Sequence, residues 1–507
     1  MSDFDDREPP FDDIEPEPPL TVKPDFEGTP TDEDIDLGDL EEFGPSPVED
    51  VDEAANGEPL DRFPQTDLGN AERLVALYGR DLRYCHPWGR WLVWDERCWA
   101  LDETGAAIRR AKSSVRKLVG LAANVDDDTR RKSLLKHAIH SEAESRIRAA
   151  LALAASEPGV PIVPGDLDVD QLSLTAENGT IDLRSGKLGR HRRDQLITKL
   201  APVTYDARAE CPTWLAFLDC IFAGDQALVR FLRRAIGYSL TGDTSAQVLF
   251  LLFGTGANGK TTLIETLRAL LGDYGQQTPA ETFLERRDSI PNDVARLRGA
   301  RLVAAVETPE SRRLNETMVK RMTGGDTMTA RFMRGEWFEF HPLFKVWLAT
   351  NHKPVIRGTD EAIWRRIRLI PFTVTIPENE RDPHMPEKLR AELPGILSWA
   401  IEGCLEWQEH GLDEPAAVRS ATEAYRDEMD TLGQFIADKC VVEGNAKALA
   451  GGIYDLYGRW CEENGERDHI SQQAFGRRLA ERGFTACRLT GGKRAWQGIG
   501  ILQESDG

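Results

Sequence analysis

The sequence predicts an α/β fold: a P-loop core, a small α+β domain before it and a winged-helix-like module after it. Residues 248–262 read VLFLLFGTGANGKTT, an apolar run entering a glycine-rich loop. Further apolar runs at 301–306, 345–350 and 367–372 alternate with helical and hairpin stretches, which argues for a sheet with ligand groups at its strand C-termini. Residues 441–507 show helix, helix and hairpin signals in that order.

The loop fits G-x-x-x-x-G-K-[ST], with a buried strand from Val248 to Phe253 before it and a helix from Thr261 to Leu271 after it. Phosphate oxygens need several inward-pointing N–H groups, which glycine-rich backbone provides, and a helix N-terminus adds its dipole. Gly254, Gly256, Asn258, Gly259, Lys260, Thr261 and Thr262 are therefore the candidate nucleotide-binding residues. Lys260 would reach the β/γ-phosphates, and the Thr261 hydroxyl would hold Mg²⁺. The plain alternative is a glycine turn before a lysine, which both flanks disfavour.

The 507 residues, 40% of them hydrophobic, suffice for two to four domains with real cores. Residues 1–65 carry 23 acids against Arg7, Lys23 and Arg62, together with 11 of the 28 prolines. Such a segment cannot offset chain entropy and is expected to be disordered. It would mimic nucleic acid, repel non-specific DNA, bind a basic partner or simply solvate the chain. The rest is near neutral, with 62 acids against 60 bases, so the net charge of −22 does not exclude DNA binding by the body. Eight cysteines without a CxxC, and no signal peptide, point to a reduced, cytoplasmic protein. Cys85, His86 and Cys98 lack a recognised metal-ligand spacing. No apolar run approaches the roughly 18 residues of a membrane span.

Residues 66–205 read as the α+β domain. Thr66 to Asn70 looks like a helix start, followed by helical spacing from Ala71 to Tyr78. Arg83 to Cys85, Trp91 to Trp94 and Cys98 to Leu101 read as strands, and Trp88, Trp91, Trp94 and Trp99 as core in preference to base-stacking residues. Helices are expected from Gly105 to Asn124 and from Asp128 to Ala155. The bases of the first (Arg109, Arg110, Lys112, Arg116, Lys117) suit a solvated face or a phosphate contact equally. Asn178-Gly179 and Ser185-Gly186 mark hairpin turns. Residues 206–246, with helices from Pro212 to Phe222 and Asp225 to Leu240, form a helical collar.

The core spans 247–375. Its second strand, Arg301 to Val306, ends in Glu307, where hydrolysis of ATP needs a carboxylate beside the metal to orient or deprotonate water. Lys320 to Lys345 reads as a helix end and a hairpin, with strands from Thr327 to Met333 and Trp337 to Phe340 and Arg334-Gly335-Glu336 near the tip. Arg331, Phe332 and Arg334 suit gripping a phosphate backbone and stacking a base; an ordinary surface hairpin is the other reading. Asn351 ends the strand KVWLAT, and its amide would bond the γ-phosphate or the attacking water. Arg365 and Arg366 are plain surface charge or stabilise the γ-phosphate of a neighbouring subunit.

Helices from Pro386 to Gly411 and Glu414 to Cys440 fill residues 376–440. In 441–507, Lys447 to Glu463 and Ser471 to Arg482 read as helices before a hairpin from Phe484 to Ile501 centred on Gly491-Gly492. Arg477, Arg478, Arg482, Lys493 and Arg494 are available there for DNA phosphates, with protein docking as the alternative.

With these residues in order, the stretch from Asp67 to Phe372 resembles the superfamily 3 helicases, specifically the phage and plasmid primase-helicase family related to poxviral primase-helicases. GTGANGKTT, RLVAAVE, TGGDTMTARFMRGEWFEFHP, KVWLATNHKP and GTDEAIWRRIRLIPF carry the likeness. The resemblance implies an AAA+-like ATPase that assembles into a ring, usually a hexamer, and translocates on single-stranded DNA. It assigns Lys260 and Thr261 to nucleotide and Mg²⁺, Glu307 to the acidic motif and Asn351 to the polar sensor. It makes Arg365 or Arg366 the finger acting in trans, and Arg331, Phe332 and Arg334 part of the channel hairpin. Many such motors carry two consecutive acids, whereas Val306 precedes Glu307 and Thr308 follows it. Glu307 then serves both metal and water, or Thr261, nucleotide and solvent hold the metal. The family's polymerising domain has no counterpart upstream, so the chain reads as the helicase half, with primase activity supplied by another protein or absent.

The expected function is an ATP-dependent DNA helicase acting on single-stranded and forked DNA in phage, prophage or plasmid replication. The alternative is an ATP-regulated DNA-binding initiator or assembly platform without unwinding activity. A small-molecule P-loop kinase explains neither the hairpin block nor the C-terminal module.

Overall fold

The computed structural model describes residues 60–285, 291–306, 312–331, 337–356, 361–464 and 469–502. The acidic tail up to residue 59, Glu307, Phe332 and Arg334 lie outside them. Thr66 opens α1 (Asp67–Tyr78), its hydroxyl accepting from the Gly69 N–H at 3.1 Å. Next come β1 (Leu82–Cys85), β2 (Arg90–Trp94), β3 (Trp99–Leu101), α2 (Ala106–Ala123), α3 (Asp128–Ser141), α4 (Glu144–Ala154) and β4 (Pro161–Ile162). The strands form a sheet in the order β3-β2-β1-β4. Trp94 and Trp99 are buried edge to face, so these tryptophans build core. The single helix expected from Asp128 to Ala155 is two helices: Ala143 is extended at ψ 137°, which lets α4 lie on α1 while α3 stays on α2.

A three-stranded antiparallel sheet follows, β5 (Ser173–Ala176), β6 (Gly179–Asp182) and β7 (Lys187–Gly189), then α5 (Pro212–Ile221) and α6 (Gln226–Ser239). The central part runs β8 (Leu249–Phe253), α7 (Lys260–Leu271), β9 (Gly275–Gln277), α8 (Pro291–Ala295), β10 (Leu302–Val306), α9 (Glu316–Gly324), β11 (Met328–Arg331), β12 (Trp337–Phe340), β13 (Lys345–Thr350), α10 (Glu361–Trp364) and β14 (Ile367–Pro371). Five of these strands form a parallel sheet in the order β14-β8-β13-β10-β9.

Both faces of that sheet are covered. Phe250, Leu252, Ala304 and Trp347 join one core with α5, α6 and α7, while Leu249, Leu251, Val303 and Val346 join another with α9 and the inner face of β11–β12. Burial on both sides is why these strands are continuous apolar runs. The edge strand β9 was not expected, because Gly-Gln-Gln carries no apolar signal.

Two buried basic side chains hold the N-terminal ends of β10 and β13 to the end of α6. Arg301 donates to the carbonyls of Leu240 and Ser173, both at 2.6 Å, and Lys345 donates to those of Thr241 and Asp243. The carbonyls of Leu240, Thr241 and Asp243 lie at or just past the C-terminal end of α6, where the helix dipole favours positive charge, while that of Ser173 belongs to β5. Burial first, and Arg301 next, hold the Lys345 amine well below its ordinary pKa. Between that lowered value and the ordinary one the unfolded chain binds more protons, so Lys345 makes stability rise with pH, by at most about 1.4 kcal/mol per pH unit for one proton. Denaturant unfolding from neutral to alkaline pH should show the parent gaining on Lys345→Met across that window. A pH-independent difference would refute the assignment.

The chain continues through α11 (Met385–Ala391), α12 (Leu393–His410), α13 (Ala416–Met429), α14 (Thr431–Lys439), β15 (Cys440–Leu449), α15 (Ala450–Glu463), α16 (Gln472–Glu481), β16 (Thr485–Arg488) and β17 (Arg494–Ile501). Each long helix expected here is broken once. Glu392 leaves the first to cap α5, accepting from Thr213 N and Trp214 N at 2.9 Å, and Pro394 restarts it. Asp430 breaks the second and caps α14. Strand β15 takes the residues expected to begin the next helix; its register shifts between Val442 and Lys447, which hides the alternation. The last sheet has the order β15-β17-β16 over a core of Phe435, Tyr457, Trp460 and Phe475. Among the described residues no helix is long and apolar enough to cross a membrane, and the eight cysteines are free thiols.

Candidate nucleotide site and DNA-facing surfaces

The loop from Gly254 to Gly259 joins β8 to α7 at the C-terminal edge of the parallel sheet. Its shape requires its glycines. A Cβ on Gly254 would lie 2.3 Å from Asn258 Nδ2 and 2.4 Å from the Phe372 carbonyl, and Gly259 turns at φ +83° with Ile221 2.6 Å from where its Cβ would stand. Gly256 and Ala257 also have positive φ. The segment after β14 closes over the loop, Ile376 N donating to Ala257 O at 2.8 Å.

Lys260 is 6% exposed, and its three ammonium hydrogens are spent on Gly254 O at 2.7 Å, Asn258 Oδ1 at 2.9 Å and Asn351 Oδ1 at 3.0 Å. Asn351 follows β13, which pairs in parallel with β8, so the two strand ends bring together residues 91 positions apart. Burial pulls the Lys260 amine below its ordinary pKa. No carboxylate is among its hydrogen-bond partners, and Asn258 Nδ2 is a buried donor without an acceptor. A buried ammonium with no carboxylate partner and an unpaired amide donor, at the N-terminus of a 12-residue helix, fit an anion, and phosphate above all. Thr261 is exposed in the first turn of α7, with Thr262 half-buried beside it. Among the described residues no three His, Cys, Asp or Glu side chains gather as a metal site.

The adjacent arginines diverge. Arg365 is exposed. Arg366 is 7% exposed and donates to Thr323 Oγ1 at 3.1 Å, Ala362 O at 2.6 Å and Gln247 Oε1 at 3.2 Å.

The hairpin β11–β12 pairs Arg331 with Trp337 at its outer end. One pair inward from that end Phe338 faces the core side, where Arg298 lies between two rings, 5.3 Å from Trp88 and 5.5 Å from Phe338, and donates to Pro164 O at 3.4 Å. Spacing alone did not single out Arg298 or Trp337. In the last module Arg477, Lys493 and Arg494 are exposed and Arg478 half-buried. Arg482, expected to serve phosphates, is instead ion-paired with the α14 cap Asp430. Arg488 stands opposite Arg494 across β16–β17, a like-charged pair that costs stability on its own and that nothing in the sequence pattern announced.

Residues 71–223 match the family described as D5 N terminal like, and residues 252–366 match a family of unknown function, DUF5906. The protein named "Putative helicase L207/L206" of Acanthamoeba polyphaga mimivirus is 29% identical over 317 residues, covering 58% of this chain and 33% of that protein. "Putative helicase 022R" of Frog virus 3 is 29% identical over 272 residues, covering 49% and 28%. "Putative primase C962R" of African swine fever virus (strain Badajoz 1971 Vero-adapted) is 25% identical over 241 residues, covering 43% and 25%. The chain thus spans a third or less of the length of these relatives. The solved apo structure of the NrS-1 C terminal region overlays at a TM-score of 0.46 and 10% identity, covering 86% of this chain and all of that one. The family matches and the viral relatives bear out the resemblance carried by the motifs: the chain is a relative of the primase-helicase family of large DNA viruses.

Proposed function

We propose that the chain is an ATP-dependent DNA helicase of superfamily 3, with an AAA+-like core at 247–375, that works as a ring on single-stranded DNA during phage, prophage or plasmid replication. The observation that carries this reading is the meeting of buried Lys260 with Asn351 at adjacent parallel strand ends, beside a glycine-rich loop that holds an unpaired buried amide donor. When bound, ATP supplies the transferable phosphoryl group and Mg²⁺ neutralises its charge. Lys260 and the loop N–H groups hold the phosphates, Thr261 offers its hydroxyl to the metal, and Asn351 orients the γ-phosphate or the attacking water. Glu307 takes the proton from that water. Arg365, the exposed member of its pair, reaches the site of the next subunit.

The hairpin residues Arg331, Phe332 and Arg334 grip the translocating strand. Arg477, Arg478, Lys493 and Arg494 of the winged-helix-like module hold duplex phosphates, joined by Arg488. Residues 66–205, 206–246 and 376–440 serve as N-terminal domain, collar and helical extension. The test is ATP-driven strand separation on a fork with both single-stranded tails. Wild type should unwind it and Lys260→Ala should not. A wild type that hydrolyses ATP and binds DNA yet separates no strands would be an initiator instead.

A further inference from the structure

The hairpin has two faces. Met328, Ala330 and Phe340 are buried in the second core, whereas Thr329, Arg331, Trp337 and Glu339 face solvent. Of the twelve tryptophans of the chain, all of them described, Trp337 is the exposed one, with 55% of its surface open. An indole left in water forfeits the burial that a chain otherwise gains from its largest apolar side chain. Trp337 does not stand alone: the Arg331 guanidinium lies over its ring, 4.8 Å from the centroid. A guanidinium over a ring still has N–H groups to offer a phosphate. Flat aromatic surface beside phosphate-seeking charge, at the outer end of a projecting hairpin, is the pairing that unstacked nucleotides use, and it is indifferent to base identity because every base has a π-face.

We propose that Trp337 is a base-stacking platform for single-stranded DNA, with Arg331 holding the adjoining phosphate. The proposal rests on the helicase reading and deepens it: it locates base contact on the described part of β12, in addition to the tip residues assigned above. A stacking contact predicts a preference for nucleotides that carry bases over the same backbone without them. A phosphate contact predicts none.

The experiment is fluorescence-anisotropy titration of the full chain, at fixed salt, with labelled oligo-dT and with an abasic oligomer of equal length. Wild type should bind oligo-dT about tenfold more tightly than the abasic strand. Trp337→Ala should lose most of that preference, and Trp337→Phe, which keeps a flat ring, should retain most of it. Quenching of tryptophan fluorescence by oligo-dT should be weaker in Trp337→Phe than in wild type. Equal affinity of wild type for both strands would overturn the platform while leaving a DNA-binding motor. So would a loss of both affinities by the same factor in Trp337→Ala and Trp337→Phe, which marks a structural indole. A change of oligomer size in Trp337→Ala with the base preference intact would place Trp337 between copies of the chain, and overturn it as well. Binding to neither strand by wild type would sink the DNA reading itself.

Discussion

Lys260→Ala is expected to lower ATP turnover by about 10²- to 10³-fold while leaving the fold in place. The ammonium is the buried charge of the glycine-rich loop, held by three oxygens of which two belong to side chains, Asn258 and Asn351. Its removal takes away the group aimed at the phosphates and leaves those acceptors facing one another. Thermal stability should change little, because three hydrogen bonds are lost but the cost of burying an amine without a carboxylate partner is lost with them. Phosphate release at saturating DNA measures the first effect and calorimetric unfolding the second. A variant retaining more than about a tenth of wild-type turnover would remove Lys260 from the site. The direction of its pKa supplies an independent check. Burial lowers the free amine and a nearby anion raises it again, so nucleotide binding at alkaline pH should be accompanied by proton uptake. Calorimetric titration in buffers of different ionisation enthalpy reads that proton.

The adjacent arginines should fail in different ways. Arg365→Ala is expected to cost about 10³-fold or more in turnover, the scale of a missing arginine finger, with unfolding unchanged. Mixing it with Lys260→Ala should restore part of the activity, since each variant supplies the half-site the other lacks. Arg366→Ala should instead destabilise the chain by about 3 kcal/mol, because it strips a buried donor from Thr323, Ala362 and Gln247 at once. Unfolding in denaturant and single-turnover hydrolysis separate the two. If Arg366→Ala unfolds normally and Arg365→Ala hydrolyses ATP normally, the division of roles is wrong.

What the sequence made legible follows from where each signal resides. The runs LFLLF, LVAAV and KVWLAT announce strands because a parallel sheet buried on both faces asks the same of every residue. The three-residue edge strand β9 has no such demand and was invisible. Helix breaks were missed for another reason. Apolar spacing continues through Glu392, and what ends the helix there is a carboxylate turned toward α5, some 179 residues earlier in the chain. In the site, the loop and Asn351 were legible, since a strand end marks a position at the sheet edge before the strand order is known. Arg365 and Arg366 were not separable, because neighbours in sequence diverge only once the strand that follows is placed. The exposure of Trp337 depends on which face of the hairpin meets the core, a choice that alternation offers but does not make.

The inner side of the hairpin meets Arg298 at Phe338. A guanidinium between two rings, as Arg298 stands between Trp88 and Phe338, tolerates small shifts better than a hydrogen bond does, because its attraction to a ring face is less directional. Its directional bond goes to Pro164, so Arg298 is held more strictly toward the N-terminal side than toward Phe338. With its inner face packed in the second core, the hairpin is thereby jointed to the first domain through one guanidinium, and a small shift of Phe338 need not break that joint.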